Sequence, residues 1–336
     1  MKLSVAICTW NRADMLAEML EHLTLCNKPV DAEWEVVVVN NNSTDHTDAV
    51  IQSFVGRLPI VRVWQAVPGK SNACNAAMHA VTGDYILWTD DDVFVDANWL
   101  RSYESAIEMN PHAAFFGGTI RAHYDVPPPD WLEKNIEIFE TAFALRELGD
   151  CPFDLNGSVL PFGANWAVRT SEQRRVAYDP KLGRQPAAIN LGGEETLVME
   201  QMLALGAQGV WAPGAIVNHR IPAARQTIDY LKRYYFGNGM TEAVLSPSND
   251  VSKLLGMPRW MIKVAIFDAM NYYWKRGTAG AEAWGAALKI FYSRLGYLKA
   301  MRSISQGQIC LKNKDNEVHG RCGRIGWVGA GGKREL

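Results

Sequence analysis

Short apolar runs alternate with amphipathic stretches through the first third of the chain. Leu3 to Cys8 is apolar apart from Ser4, the pattern of a strand buried on both faces. Asp14 then stands as a helix N-cap, and Met15, Leu16, Met19, Leu20 and Leu23 recur at helical spacing. Trp34 to Val39 predicts a second strand that stops abruptly at Asn40-Asn41-Asn42-Ser43. Ile60 to Trp64 predicts a third, followed by Pro68-Gly69 and a helical stretch to about Ala80. The fourth, Tyr85 to Trp88, runs into Thr89-Asp90-Asp91-Asp92. Strands and helices in alternation imply an α/β fold on a mostly parallel sheet flanked by helices. Ligands of such sheets lie beyond the carboxyl ends of the strands. Three polar clusters fall there and so share one rim: Thr9 to Arg12, Asn40 to Asp45, and Asp90 to Asp92.

The texture changes near Ala113. Phe115 to Thr119 and Phe162 to Arg169 read as strands, Pro127-Pro128-Pro129 as a loop, and Glu194 to Leu205 and Thr227 to Phe236 as helices. This divides the chain into a large domain over 1–245, with halves 1–112 and 113–245, a helical region over 246–302, and a Gly-rich, loosely ordered tail over 303–336. Between Pro258 and Arg302, Trp260, Tyr273, Trp274, Trp284, Phe291 and Tyr297 are interleaved with Lys263, Lys275, Arg276, Lys289 and Arg294. Such a mixture suits helices lying on an anionic membrane surface, and equally a subdomain packed on the core or a homodimer contact.

Composition narrows the classes. Apolar residues are 48% of 336, enough for a sizeable core, and 34 Lys plus Arg against 36 Asp plus Glu leave no overall basic excess for a nucleic acid. The six cysteines form no C-x-x-C pair, so free thiols in a reducing compartment are expected. The N-terminus lacks signal-peptide character, and no apolar run reaches the ~18 residues of a spanning helix. The expected location is cytoplasmic, with contact to the inner face of the cell membrane left open.

Asp90-Asp91-Asp92 carries the strongest chemical signal. Adjacent carboxylates repel unless a cation sits among them. On an extended segment Asp90 and Asp92 face the same way and can share one while Asp91 points elsewhere. Oxygen ligands favour Mg²⁺ or Mn²⁺; the competing reading is an acidic turn that caps the helix near Trp99. Glu194-Glu195 opens a helix after two glycines, where acidic residues also simply favour the dipole. Pro68-Gly69-Lys70-Ser71 is no P-loop, because Trp64 stands where that motif needs glycine.

Ser4 to Arg12, Val39 to Thr47 and Gly83 to Asp92 resemble, in order and spacing, the opening motifs of family 2 glycosyltransferases. Gly192 to Thr196 and Val217 to Arg220 extend the likeness to about residue 240. The resemblance implies a GT-A fold with a helical C-terminal region, a nucleotide-sugar donor, Mn²⁺ or Mg²⁺, and inversion at the anomeric carbon. It implies a glycan or lipid-linked saccharide as acceptor. On that template Thr9, Asn11, Arg12, Asn40 and Asn42 line the donor, Lys70 reaches a phosphate, and Asp90 and Asp91 face the diphosphate. Asp90 and Asp92 hold the metal, with His219 as a further ligand. Glu195 is the favoured general base and Glu194 the alternative. Apart from the template, Asn165 and Trp166 suit hydrogen bonding and stacking with an acceptor sugar, and Trp166 suits core packing equally well. Asn40 departs from the family's usual aspartate, so a uridine preference does not carry over. Three rivals remain: a retaining transferase, a sugar-nucleotide nucleotidyltransferase, and a non-catalytic binding protein. Thr9 to Met15 lacks the Gly-rich basic loop of the second, and Asp90, Asp92 and Glu195 together argue against the third.

Overall fold

Every apolar run of the first ninety residues becomes a strand in the computed structural model, which describes residues 1–157, 159–183, 192–247 and 252–309. The strands are β1 (Lys2–Thr9), β2 (Glu33–Asn40), β3 (Ile60–Trp64) and β4 (Tyr85–Asp90). They are joined by α1 (Ala13–Thr24), α2 (Thr47–Ser53) and α3 (Lys70–Ala80). β5 (Val93–Val95), α4 (Trp99–Met109) and β6 (Phe115–Tyr124) follow, then the short helical turns α5 (Asp130–Glu133) and α6 (Ile136–Phe139). β7 (Asp154–Leu155), β8 (Asn165–Arg169), α7 (Thr170–Gln173), α8 (Glu194–Ala204), β9 (Gly209–Ile221) and α9 (Ile228–Leu245) complete the sheet and its cover. A small hairpin, β10 (Lys253–Leu254) and β11 (Met257–Pro258), leads into α10 (Arg259–Thr278) and α11 (Ala281–Ser305).

The sheet runs β3-β2-β1-β4-β8-β6-β9-β5, with β7 also on β9. β1 pairs parallel with β2 and β4, and β2 with β3, while β8 is antiparallel to both β4 and β6. The sheet is therefore mixed, and strands from both halves of the first 245 residues share it. Alternation along β1 feeds two cores, as a period of two requires. Leu3, Val5 and Ile7 meet α1 and α4 on one face; Ala6 and Cys8 meet α3 and α8 on the other. Cys8, Cys26, Cys74 and Cys151 are free thiols, while Cys310 and Cys322 lie outside the described residues.

Several local expectations change. α1 begins at Ala13 rather than behind an Asp14 cap; its first amide instead donates to Asp45 Oδ2 at 3.0 Å, from the loop after β2. An acceptor supplied across a loop does the work of a local N-cap. α9 runs nine residues past Phe236, and α11 reaches Ser305, inside the segment expected to be loose. The rest of that segment, from residue 310, lies outside the described residues.

Asn165 and Trp166, expected at the acceptor, are buried in the sheet. Asn165 Oδ1 accepts from Trp99 Nε1 and from the Tyr103 hydroxyl, both at 2.8 Å. Its Nδ2 donates to the Thr119 and Ala215 carbonyls at 2.9 and 2.7 Å. That uses the whole hydrogen-bonding capacity of the amide. Gly118 makes room for it: a Cβ there would lie 2.3 Å from Asn165 Nδ2. Trp166 is packed among Trp88, Phe115 and Trp211 in the second core. Neither side chain presents a face to an acceptor.

The C-terminal helices also divide the expectation placed on 258–302. α9 and α11 cross at glycines, where a Cβ on Gly239 would lie 1.7 Å from the Ser293 carbonyl oxygen and one on Gly296 1.9 Å from that of Phe236. Trp284, Leu288 and Phe291 of α11 pack with Phe139, Phe143 and Tyr235. These aromatics are core. On α10, by contrast, Trp260, Ile266, Phe267, Met270, Tyr273 and Trp274 stay exposed. No helix among the described residues is long and apolar enough to cross a membrane.

Candidate active site

The carboxyl ends of β1 and β4 lie side by side, with Cys8 paired to Asp90 in register. Three carboxylates emerge from that edge, and each finds a different partner. Asp90 forms an ion pair with Lys70 at the start of α3. Asp91 turns back to β1, accepting from Thr9 Oγ1 and Arg12 Nη1, both at 2.8 Å. Asp92 Oδ2 accepts from Arg225 Nη2 at 2.9 Å and from Arg12 Nη1 at 3.3 Å. Burial opposes ionisation at all three, but Lys70 holds Asp90 below the usual range. His219, Arg225 and Arg12 hold Asp92 well below it. Asp91 is the exception: burial outweighs Arg12, and its carboxyl is raised.

β9 supplies the fourth member. β5 pairs antiparallel with β9 so that Val93 opposes His219, and the Arg220 amide donates to the Asp92 carbonyl at 2.9 Å. This register sets His219 Nε2 3.5 Å from Asp92 Oδ1. On the other side of the ring, Nδ1 lies 2.5 Å from the Phe143 carbonyl, so that nitrogen carries the hydrogen. In the neutral ring Nε2 keeps its lone pair, and Arg225 Nη1 approaches it at 3.3 Å. A carbonyl that fixes the tautomer is the usual support of a metal-ligating histidine.

Among the described residues no three His, Cys, Asp or Glu side chains form a ready ligand set. Two facing acceptors 3.5 Å apart nevertheless suit one cation between them, and an O plus N pair suits Mn²⁺ or Mg²⁺. The residues fit such an ion on Asp92 and His219. Asp90, expected to share it, is occupied by Lys70.

Several expected donor contacts are internal to the protein. Thr9 is buried and spent on Asp91. Asn11 Oδ1 accepts from the Thr44 amide at 2.7 Å and its own amide donates to Ser43 Oγ at 2.9 Å, tying the loops after β1 and β2 together. Asn40, also buried, donates to Asp48 Oδ1 and accepts from the Ser43 amide, both at 2.9 Å. Its amide holds a turn, with a donor and an acceptor position spent inside the protein. Asn42 sits partly exposed at φ 60° in that turn. Asn40→Asp should thus set a carboxylate against Asp48 and lower the melting temperature at neutral pH, with the loss shrinking toward acid as one carboxyl takes a proton. Melting curves at two pH values check it; an unchanged melting temperature would contradict the turn role.

Glu194 and Glu195 begin α8 behind Gly193, whose φ of 86° is of the kind glycine adopts without strain. Glu194 is buried, and burial together with Glu195 raises its carboxyl to about 8. Lys70 and Asp90 also act on it, so this helix start and the aspartate edge share one electrostatic site. Glu195 is half-buried and crosses over Gly163, where a Cβ would stand 3.3 Å from its Cδ. Below about 4.5 Glu194's contribution to folding is complete; it is lost as pH rises through about 8, because the folded state holds the proton more tightly. Glu194→Gln should flatten the fall in melting temperature between those values, and an equally steep fall in the variant would contradict the assignment.

In sequence Arg225 is only one of several basic residues past His219 that suit a phosphate or a solvated helix face, and Asn41 only one member of the polar cluster after β2. Arg225 lies six residues past His219 on a short 3₁₀ turn, a spacing without a recognisable motif. Asn41 accepts from the Gly69 amide at 2.8 Å and donates to Val67 O at 2.7 Å, anchoring the loop that carries Lys70.

Comparison with known proteins agrees with this architecture. Residues 4–160 match the family model described as Glycosyl transferase family 2. The succinoglycan biosynthesis protein ExoM of Rhizobium meliloti (strain 1021) is 28% identical over 254 residues, 72% of this chain and 74% of that protein. Validoxylamine A glucosyltransferase of Streptomyces hygroscopicus subsp. jinggangensis (strain 5008) is 27% identical over 185 residues, 50% of this chain and 44% of that protein. In fold, the crystal structure of S. aureus TarS 1-349 in complex with UDP-GlcNAc superposes with a TM-score of 0.52 at 16% identity, covering 91% of this chain and 92% of that one. The motif-bearing strands, the carboxylate edge and these relatives agree: residues 4–160 match glycosyltransferase family 2, and the chain has the fold of GT-A glycosyltransferases.

Proposed function

We propose that the chain moves a sugar from a nucleoside-diphosphate donor to a hydroxyl of a glycan or lipid-linked saccharide, with inversion. One observation carries this reading: the Asp92–His219 pair, ringed by Arg12, Lys70 and Arg225, shares its electrostatic surroundings with the Glu194–Glu195 pair. A donor diphosphate needs cations, and an acceptor hydroxyl needs a base. ExoM is named for succinoglycan biosynthesis and TarS was crystallised with UDP-GlcNAc, which supports a polysaccharide setting and this type of donor.

In this reading Asp92 and His219 hold a divalent cation, which when bound offsets charge on the departing diphosphate as a Lewis acid. Arg12, Lys70 and Arg225 exchange their carboxylate partners for phosphate oxygens. Glu195, the more accessible of the pair, takes the proton of the acceptor hydroxyl. Glu194 keeps its own proton at neutral pH and spares the pair two adjacent charges.

Calorimetry with UDP, GDP and dTDP, each with and without Mn²⁺, tests the donor side. One nucleotide should bind with Mn²⁺ dependence, and Asp92→Asn should abolish that dependence while the fold is kept. Unaltered Mn²⁺-dependent binding in Asp92→Asn would remove the cation from this pair.

A further inference from the structure

α10 is a 20-residue helix that packs on the molecule through Met261, Ala265 and Tyr272. Its opposite side is open along its full length of about 30 Å. Trp260, Lys263, Phe267, Met270 and Trp274 follow the i, i+3, i+7, i+10, i+14 spacing of a single helical face, and all are exposed. A soluble surface seldom keeps an apolar stripe of this length.

Charge says what covers it. Arg259 and Lys263 are exposed on this open side, while Arg276 turns inward over the Trp284 ring at 4.7 Å. Its one acidic residue, Asp268, is half-buried in an ion pair with Arg294 of α11. The open face is therefore apolar and basic, with tryptophans near both ends. A second copy would bring identical positive stripes together. Residues 310–336 hold six Lys and Arg against three Asp and Glu, so that segment is no complement either. An anionic lipid surface complements both features, since it takes apolar side chains among the acyl chains and cations among the headgroups.

We propose that the outer face of α10 seats the protein on an anionic bilayer. At its C-terminal end the helix flanks a cavity of about 500 Å³, lined by Trp131, Gln226, Asp229, Lys232, Tyr273 and Arg276. Gln226 directly follows Arg225, which holds Asp92. The cavity thus lies between this helix and the segment that carries Arg225.

Flotation of the full chain with vesicles of phosphatidylcholine alone, and with an equal part of phosphatidylglycerol, tests this without donor or acceptor. Its outcome is therefore separate from that of the transfer reaction. The chain should float with the anionic vesicles, less so as salt rises. Phe267→Asp with Met270→Asp should lower that partitioning about tenfold or more. Arg259→Glu with Lys263→Glu should weaken binding to anionic vesicles alone. Both double variants alter exposed side chains, so the melting temperature should stay that of the parent. Three results would overturn the proposal: no flotation of the parent chain, flotation indifferent to both variants, or a dimer in sedimentation that the Asp variants dissolve while vesicles are ignored. Should one double variant fail to fold, the other decides.

Discussion

Glu195→Gln is expected to lower sugar transfer by about 10²–10⁴-fold while donor and Mn²⁺ binding stay intact, since a positioned general base contributes that much. The amide keeps the shape and the contact over Gly163 but accepts no proton. Glu194→Gln should be far milder: Glu194 already carries a proton at neutral pH, held there by burial and by Glu195, so a neutral amide replaces a neutral carboxyl. Transfer rates beside calorimetric titration of the nucleotide separate the roles. An inactive Glu194→Gln next to an active Glu195→Gln would exchange the two assignments. Two active variants would remove a carboxylate base from the mechanism.

Asn165→Ala is expected to cost about 3–5 kcal/mol of stability, because the Trp99 and Tyr103 donors and two backbone carbonyls lose their partner inside the sheet. Denaturant unfolding gives the loss directly. An acceptor-binding asparagine would behave in the opposite way, with KM raised and the unfolding midpoint unmoved. That outcome would return Asn165 to the site.

These two residues mark where sequence is readable and where it is not. β1 to β4 were legible because their apolar runs are continuous and short, and Asp90 to Asp92 because three like charges after such a run need cations. The rim itself follows from strand ends alone. What a strand end does not disclose is the partner of each polar side chain. Asn40 closes on Asp48 eight residues away, Thr9 on Asp91 across eighty-two, and Arg225 on Asp92 across 133. Such contacts depend on loops that bring distant segments together, so Thr9 and Asn40 read as ligand contacts along the chain while the fold uses both as braces. Asn165 misled for a related reason, since a polar residue opening a strand looks exposed until β8 is seen between two neighbours. In the C-terminal helices the aromatic and basic mixture was plain, but only packing separates α11, whose rings fill a core, from the open side of α10.

The matching of Asp90, Asp91 and Asp92 by Lys70, Arg12 and Arg225 has a consequence beyond the contacts themselves. Equal numbers of opposite charges within a few ångströms cancel at a distance, so the mouth of the site projects little field into solution. A nucleotide would then meet it by ordinary diffusion, with an encounter rate almost indifferent to ionic strength. Selection among anions would begin only at touching range, where a diphosphate can prise three cations from their carboxylates at once and a single phosphate cannot.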